Sequence, residues 1–271
     1  MHQRVSMHQM CFAGAPLADY VGQCQALGAR RISFASPALL AEGGMAEART
    51  ALDDGDMSVE SIAHVFQVGH LTSDQSQWRD SRETLSRLID HAAGLGAHSI
   101  YMLTGGHGAL TWEAAAQCFC EAIAPCVDRA RAAGVRLAIE NASALYGELH
   151  IAHSLADTVT LAEMADIGVC IELFFCWAEA DLRRQFERAM PHCALVQLSD
   201  YVYGDRSLPA RAVPGDGDIP LERLIGWLLE VGYPGAFELE LLGPRIDEEG
   251  HAAAGARAAT YTSELLTRLG A

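Results

Sequence analysis

No lysine occurs anywhere in the 271 residues; all 19 basic residues are arginine. That absence excludes mechanisms built on a side-chain amine, Schiff-base aldol chemistry and pyridoxal catalysis among them. It also removes the phosphate-binding lysine of a P-loop. Positive charge is scarce as well as uniform, for the formal net charge is −16 and no basic run is visible. Nucleic acid and anionic membrane are therefore not expected as partners, because phosphate contact needs a clustered Lys/Arg footprint. No apolar stretch reaches the roughly 18 residues that a membrane helix requires. The first residues lack the uninterrupted apolar core of a secretory signal. Eight cysteines include no CxxC pair. Cys118, Cys120 and Cys126 fall on a single expected helix and read as small buried apolar residues. A cytoplasmic location with reduced thiols is the expectation.

What is present is a regular alternation of β-type and helical runs. The expected strands are 4–8, 31–35, 58–65, 98–103, 136–140, 168–172, 194–198 and 236–241. Helices are expected over 17–27, 45–53, 80–95, 112–133, 154–165, 179–190, 221–231 and 252–269. Gly28, Gly96 and Gly134 stand where helices end in a left-handed cap, and Thr111 stands where one begins. Eight strand–helix pairs with nearly continuous apolar strands imply a parallel sheet covered by helices, and eight strands close a barrel. The alternative, a doubly wound open sheet, lacks a GxGxxG after its first strand. The expected fold is therefore α/β, a single (β/α)8 TIM barrel over residues 1–271, near the usual size of about 250 residues.

Chemistry gathers at the strand ends, where barrels of this kind place their active sites. The run Val135-Arg136-Leu137-Ala138-Ile139-Glu140-Asn141 reads as a buried strand with a carboxylate at its tip. Desolvating that carboxylate is costly unless a cation pairs with it. His8, His64, Thr104, Glu172, Gln197 with Asp200, and Glu240 lie at corresponding ends. One carboxylate alone is compatible with opening a solvated loop; four matching positions are not. Glu140, Glu172, Gln197 and Glu240 are the expected metal ligands. An oxygen set favours Mn²⁺ or Mg²⁺, with Co²⁺ or Zn²⁺ as less favoured ions. His8 and His64 are positioned to meet substrate hydroxyls, His107 is a weaker candidate in its glycine-rich loop, and Trp177 is expected to form an apolar wall. Glu148, His150 and His153 read as a solvated polar loop.

Several runs together resemble the sugar phosphate isomerase/epimerase group of xylose isomerase-like TIM barrels. They are Leu137-Ala138-Ile139-Glu140-Asn141, Ile167-Gly168-Val169-Cys170-Ile171-Glu172, Val196-Gln197-Leu198-Ser199-Asp200, Arg211-Ala212-Val213-Pro214-Gly215-Asp216-Gly217, and Gly232-Tyr233-Pro234-Gly235 before Glu240. The resemblance implies a four-residue metal site of Glu, Asp, His and Glu. Here Glu172 stands for the Asp and Gln197 for the His. It implies that Arg211 binds substrate; Glu238, two residues before Glu240 on the same strand face, is expected deeper, so Glu240 is preferred as the last ligand. Where epimerases carry a His three residues after the second ligand, this chain has Phe175.

The implied reaction is metal-dependent isomerisation or epimerisation of a ketose or keto-polyol, phosphorylated or not, through an enediolate. Glu140 and Glu240 are the candidate bases, and Arg211 helps to hold the enediolate. The alternative is a lyase of the inosose or 3-dehydroshikimate dehydratase kind. The expected partner is a small polyhydroxylated molecule, and a homo-oligomer is compatible with the resemblance.

Overall fold

The computed structural model describes residues 1–53 and 56–271. Eight parallel strands form a closed barrel: β1 (Val5–His8), β2 (Arg31–Ala35), β3 (Ser58–Val65), β4 (Ser99–Leu103), β5 (Arg136–Glu140), β6 (Gly168–Glu172), β7 (Cys193–Leu198) and β8 (Phe237–Leu239). β1 pairs in parallel with β2 on one side and β8 on the other, which leaves the sheet without an edge. The (β/α)8 barrel expected from the sequence is the observed architecture.

Each strand is read by its alternation. On β2, Ile32 and Phe34 join the main core under the helices, while Ser33 points to the interior and bonds Glu238 of β8. On β4, Ile100 and Met102 join that core, while Tyr101 joins a separate interior cluster with Ala138, Cys170 and Leu195. Burying one such Ile or Phe against a helix contributes about 2–3 kcal/mol.

The covering helices are α1 (Leu17–Ala26), α2 (Ser36–Leu40), α3 (Gly44–Leu52), α4 (Trp78–Leu95), α5 (Trp112–Ala132), α6 (Leu155–Ala165), α7 (Leu173–Cys176), α8 (Leu182–Ala189), α9 (Leu221–Glu230), α10 (Pro244–Glu249) and α11 (His251–Arg268). Thr111 Oγ1 accepts from Ala114 N at the start of α5, and Gly96 adopts φ +65° after α4, as the cap residues predict. Three short helices, α2, α7 and α10, were not expected. Neither was an antiparallel hairpin pairing Asp200–Tyr201 with Arg211–Ala212. None of the helices among the described residues is long and apolar enough to cross a membrane. All eight cysteines are free, and each is buried or half-buried.

Two loops at the C-terminal face are fixed by buried polar groups. Asp200 accepts from the backbone N–H of Tyr201, Gly215, Gly217 and Ile219, so it shapes the turn after the hairpin instead of facing the barrel axis. The glycine-rich loop after β4 packs backbone to backbone. A Cβ on Gly106 would stand 2.7 Å from the carbonyl oxygens of Gly147 and Glu148.

His150 is fully buried, not solvated as its polar neighbourhood in the sequence predicts. Its Nδ1 accepts from Thr104 N at 3.0 Å and its Nε2 donates to the Glu140 carbonyl at 2.7 Å. The ring thereby ties the end of β4 to the end of β5. Burial, above all, lowers its pKa to about 3. The folded protein thus keeps His150 neutral, while the unfolded chain takes up a proton below about pH 6.5. Its contribution is complete above that pH and declines as pH falls toward the folded value, by up to about 1.4 kcal/mol per unit. His150→Gln is expected to lower stability at pH 7.5. Between pH 7.5 and 5, denaturant titration should show it losing about 2 kcal/mol less than the wild type does. Equal losses would contradict a neutral buried imidazole.

Candidate metal and substrate site

Glu140 closes β5, Glu172 closes β6, and Glu240 follows β8 by one residue. One carboxylate oxygen from each lies within 4.8 Å of the others, two of the residues being buried and Glu240 half-buried. Local geometry explains how each is aimed. Glu140 is held by His150 through its carbonyl. Asn141 donates its amide to Glu172 O and accepts from Glu172 N, each at 2.9 Å, which fixes the two strand ends against each other. Glu172 Oε1 also accepts from Phe174 N at the start of α7.

Arg211 comes from the second strand of the hairpin. Its Nη1 donates to Glu172 Oε2 at 2.7 Å and to Ser199 Oγ at 3.1 Å, and its Nη2 donates to Glu240 Oε2 at 3.0 Å. Phe174 and Phe175 cover the guanidinium, with ring centroids 4.7 and 5.3 Å away. Phe175 thus supplies an apolar wall to Arg211 where the family resemblance expects a His. The Arg211 side chain is 4% exposed. Burial works against its charge, but Glu172 and Glu240 outweigh that effect and raise its pKa.

The carboxylates respond to the same crowding. Burial, then the charges of Glu240 and Glu172, push Glu140 well above the ordinary carboxylate range, with Arg211 opposing. Burial raises Glu172 as well, against the pull of Arg211. Three carboxylates and one guanidinium leave two negative charges uncompensated, which is what one divalent cation supplies. The donor set fits such an ion: three glutamate oxygens can converge on one centre, and Glu140 makes no ion pair or side-chain hydrogen bond among the described residues.

Gln197 lies directly beside this group, yet it presents its nitrogen. Nε2 donates to Glu238 Oε2 and to the Tyr101 hydroxyl at 2.9 Å, and reaches Glu240 Oε2 at 3.5 Å. Oε1 accepts from Cys170 Sγ at 3.1 Å. Turning the amide over would set its oxygen against two carboxylates. In this arrangement Gln197 is a neutral donor to the cluster, and the three glutamates are the oxygen ligands on offer.

Glu238 lies beneath, as its place two residues before Glu240 predicts. It accepts from Ser33, Ser61 and Gln197. Burial pushes its pKa up to about 8. The sequence reading assigned no role to Tyr101, Asn141 or Ser199, and it left His150 in a solvated loop. Tyr101 was within reach of it, because it shares the inward register of β4 with Ser99 and Leu103.

A cavity of about 950 Å³ opens over the site, lined among others by His8, His64, Tyr101, Glu140 and Glu240. His8 Nδ1 accepts from Met10 N, so its proton sits on Nε2, which meets the Tyr101 hydroxyl at 3.3 Å. Burial lowers its pKa to about 3. His64 Nδ1 pairs with Ser36 Oγ at 3.0 Å, while its Nε2 is buried with no partner among the described residues. His107 is exposed on its loop and does not line the cavity. Trp177 packs on Tyr201 and Tyr203, also outside that lining.

Solved structures share this architecture. Protein SMc04130 of Sinorhizobium meliloti is 24% identical, with a TM-score of 0.83 and 98% of each chain covered. The IolI protein, solved with a bound zinc atom, is 13% identical, with a TM-score of 0.83, 98% of this chain and 99% of the other covered. The D-psicose 3-epimerase of Clostridium cellulolyticum, solved with D-tagatose, is 15% identical, with a TM-score of 0.80 and coverage of 96% and 98%. No curated protein sequence matches. Residues 21–261 match the family described as xylose isomerase-like TIM barrel, and the chain belongs to that family.

Proposed function

We propose that the protein is a divalent-metal-dependent isomerase or epimerase of a ketose or keto-polyol, with Glu140, Glu172 and Glu240 as its metal ligands. The observation that carries this reading is the convergence of three carboxylates to within 4.8 Å, two of them, Glu140 and Glu240, lining a cavity. Sugar epimerases among the structural neighbours support the same reaction class. Oxygen donors and a two-charge deficit favour Mn²⁺ or Mg²⁺ over Zn²⁺. When bound, such an ion polarises a carbonyl and its neighbouring hydroxyl and acidifies the adjacent C–H.

The protein's own groups then divide the work. Glu140 makes no ion pair among the described residues and is the candidate base, while Glu240 pairs with Arg211. The two stand at the ends of β5 and β8, with β6 and β7 between them around the barrel, so a substrate seated over the site meets them from different sides. One takes the proton at carbon and the other returns it, to the opposite face for an epimer or to the neighbouring carbon for an isomer. His64 Nε2 and His8 orient hydroxyls. Elimination of water from the same intermediate is the competing outcome, distinguished by its product.

Two measurements test this. Elemental analysis after dialysis against Mn²⁺ should find one ion per chain, and Glu172→Gln should weaken its binding at least about tenfold, as loss of a ligand does. Chelation that leaves both metal content and turnover untouched would sink the metal reading. Turnover of a ketose and inosose panel in D₂O should place deuterium in a product of substrate mass. Glu140→Gln should cut that exchange by about 10²–10⁴-fold. Loss of water with new ultraviolet absorption would assign the lyase instead.

A further inference from the structure

The barrel mouth is divided, and the division names the kind of substrate. On the β5–β8 side the uppermost inward residues are Glu140, Glu172, Gln197 and Glu240. The corresponding inward residues on β2, β3 and β4 are Ala35, Ala63 with Val65, and Leu103, all of which line the cavity. The apolar surface continues outward through Leu40 of α2 and through Phe66 and Val68 after β3. Val68 is 85% exposed, a large apolar side chain left in water at the cavity rim. A polyhydroxylated ring hydrogen-bonds around its whole edge; this half of the mouth carries polar groups such as His8, His64 and Ser36, with Gln67, Gln77 and Thr84 among those beyond β3, but the side chains of Ala35, Ala63, Val65 and Leu103 offer it nothing to bond.

Volume and charge point the same way. At about 950 Å³ the cavity is near the top of the roughly 300–1,000 Å³ range that holds drug-sized ligands, well beyond what a lone monosaccharide fills. No cluster of cations lines it. Its one arginine, Arg79, stands beside Asp80 at 3.5 Å with both side chains largely in solvent, so the pair offers no net positive charge. Arg211 is occupied by two glutamates. A phosphate or carboxylate on the substrate would enter a net acidic mouth without a partner.

We infer that the substrate is an uncharged polyhydroxylated ketone bearing an apolar substituent, the hydroxylated head over the glutamates and the substituent along Leu40, Val65, Phe66, Val68 and Leu103. This rests on the proposed reading for the head alone; the apolar arm is argued from the cavity itself.

Calorimetric titration of the Mn²⁺-supplemented protein with methyl, butyl and hexyl β-D-glucopyranoside tests it. Affinity should rise with chain length, by up to about fourfold per added methylene. Leu40→Glu combined with Val68→Glu should flatten the series. Neither residue is fully buried, and the melting temperature serves as the fold control. Glucose 6-phosphate should bind more weakly than glucose. A flat wild-type series, a gradient that survives the double substitution, tighter binding of the phosphate, or no binding by any glycoside would each overturn the inference. The two readings fail separately. A gradient without metal or proton exchange removes the enzymology and keeps the arm, and exchange without a gradient does the reverse.

Discussion

Three carboxylates sharing one small volume inside a protein are the constraint to which the rest of the site answers. At 4.8 Å and an effective dielectric near 20, each like-charged pair costs on the order of 3 kcal/mol. Protonation, a guanidinium or a metal ion can relieve that cost. The fold supplies the guanidinium itself. Arg211 spans Glu172 and Glu240 with two of its nitrogens, which one ammonium cannot do with the same geometry. Its hairpin exists to deliver it, and Asp200, by gathering four backbone N–H groups, holds that hairpin and the turn behind it in place. Gly217 belongs to the same device, since a Cβ there would stand 2.4 Å from Asp200 Oδ1.

The layer beneath is built so as not to add to the burden. Glu238 on β8 and Glu240 just past its end are two residues apart, yet their surroundings separate their roles. The deeper one has serine hydroxyls and an amide around it, and burial shifts it to about 8, so near neutrality it is mostly uncharged. The upper one faces Arg211. Gln197 extends the same economy, turning its amide nitrogen toward Glu238, Glu240 and Tyr101 where another carboxylate would have repelled Glu240.

The barrel was legible because its strands keep a period of two and its helices end in glycines. β2, β3, β5 and β6 fall where the pattern predicts, to the residue. What escaped notice was short. α2 and α7 span barely a turn, and no periodicity can announce a helix of four or five residues. Glu140, Glu172 and Glu240 were readable from their places at strand ends. The pairing of Arg211 with two of them was not, because its partners lie 39 and 29 residues away in the chain. His150 shows the same limit: polar neighbours in sequence suggested water, while its actual partners are a backbone N–H and a carbonyl from two strand ends. The orientation of Gln197 depends on Glu238 and Tyr101 and so belongs to packing alone.

The apolar half of the mouth follows from the charged half by electrostatics. A further carboxylate on β2, β3 or β4 would raise the cost of the cluster, and a cation there would compete with Arg211 or an ion for the same oxygens. Neutral residues avoid both. His8 and His64 comply, since burial lowers their pKa to about 3 and about 4 and keeps them uncharged at neutral pH. Ala35, Val65 and Leu103 go further, because apolar walls lower the local dielectric and so strengthen whatever single cation the glutamates hold. On the proposed reading, a substrate with an apolar arm would complete that wall and displace water from over the carboxylates, so that the feature selecting the substrate would also sharpen the field in which its proton moves.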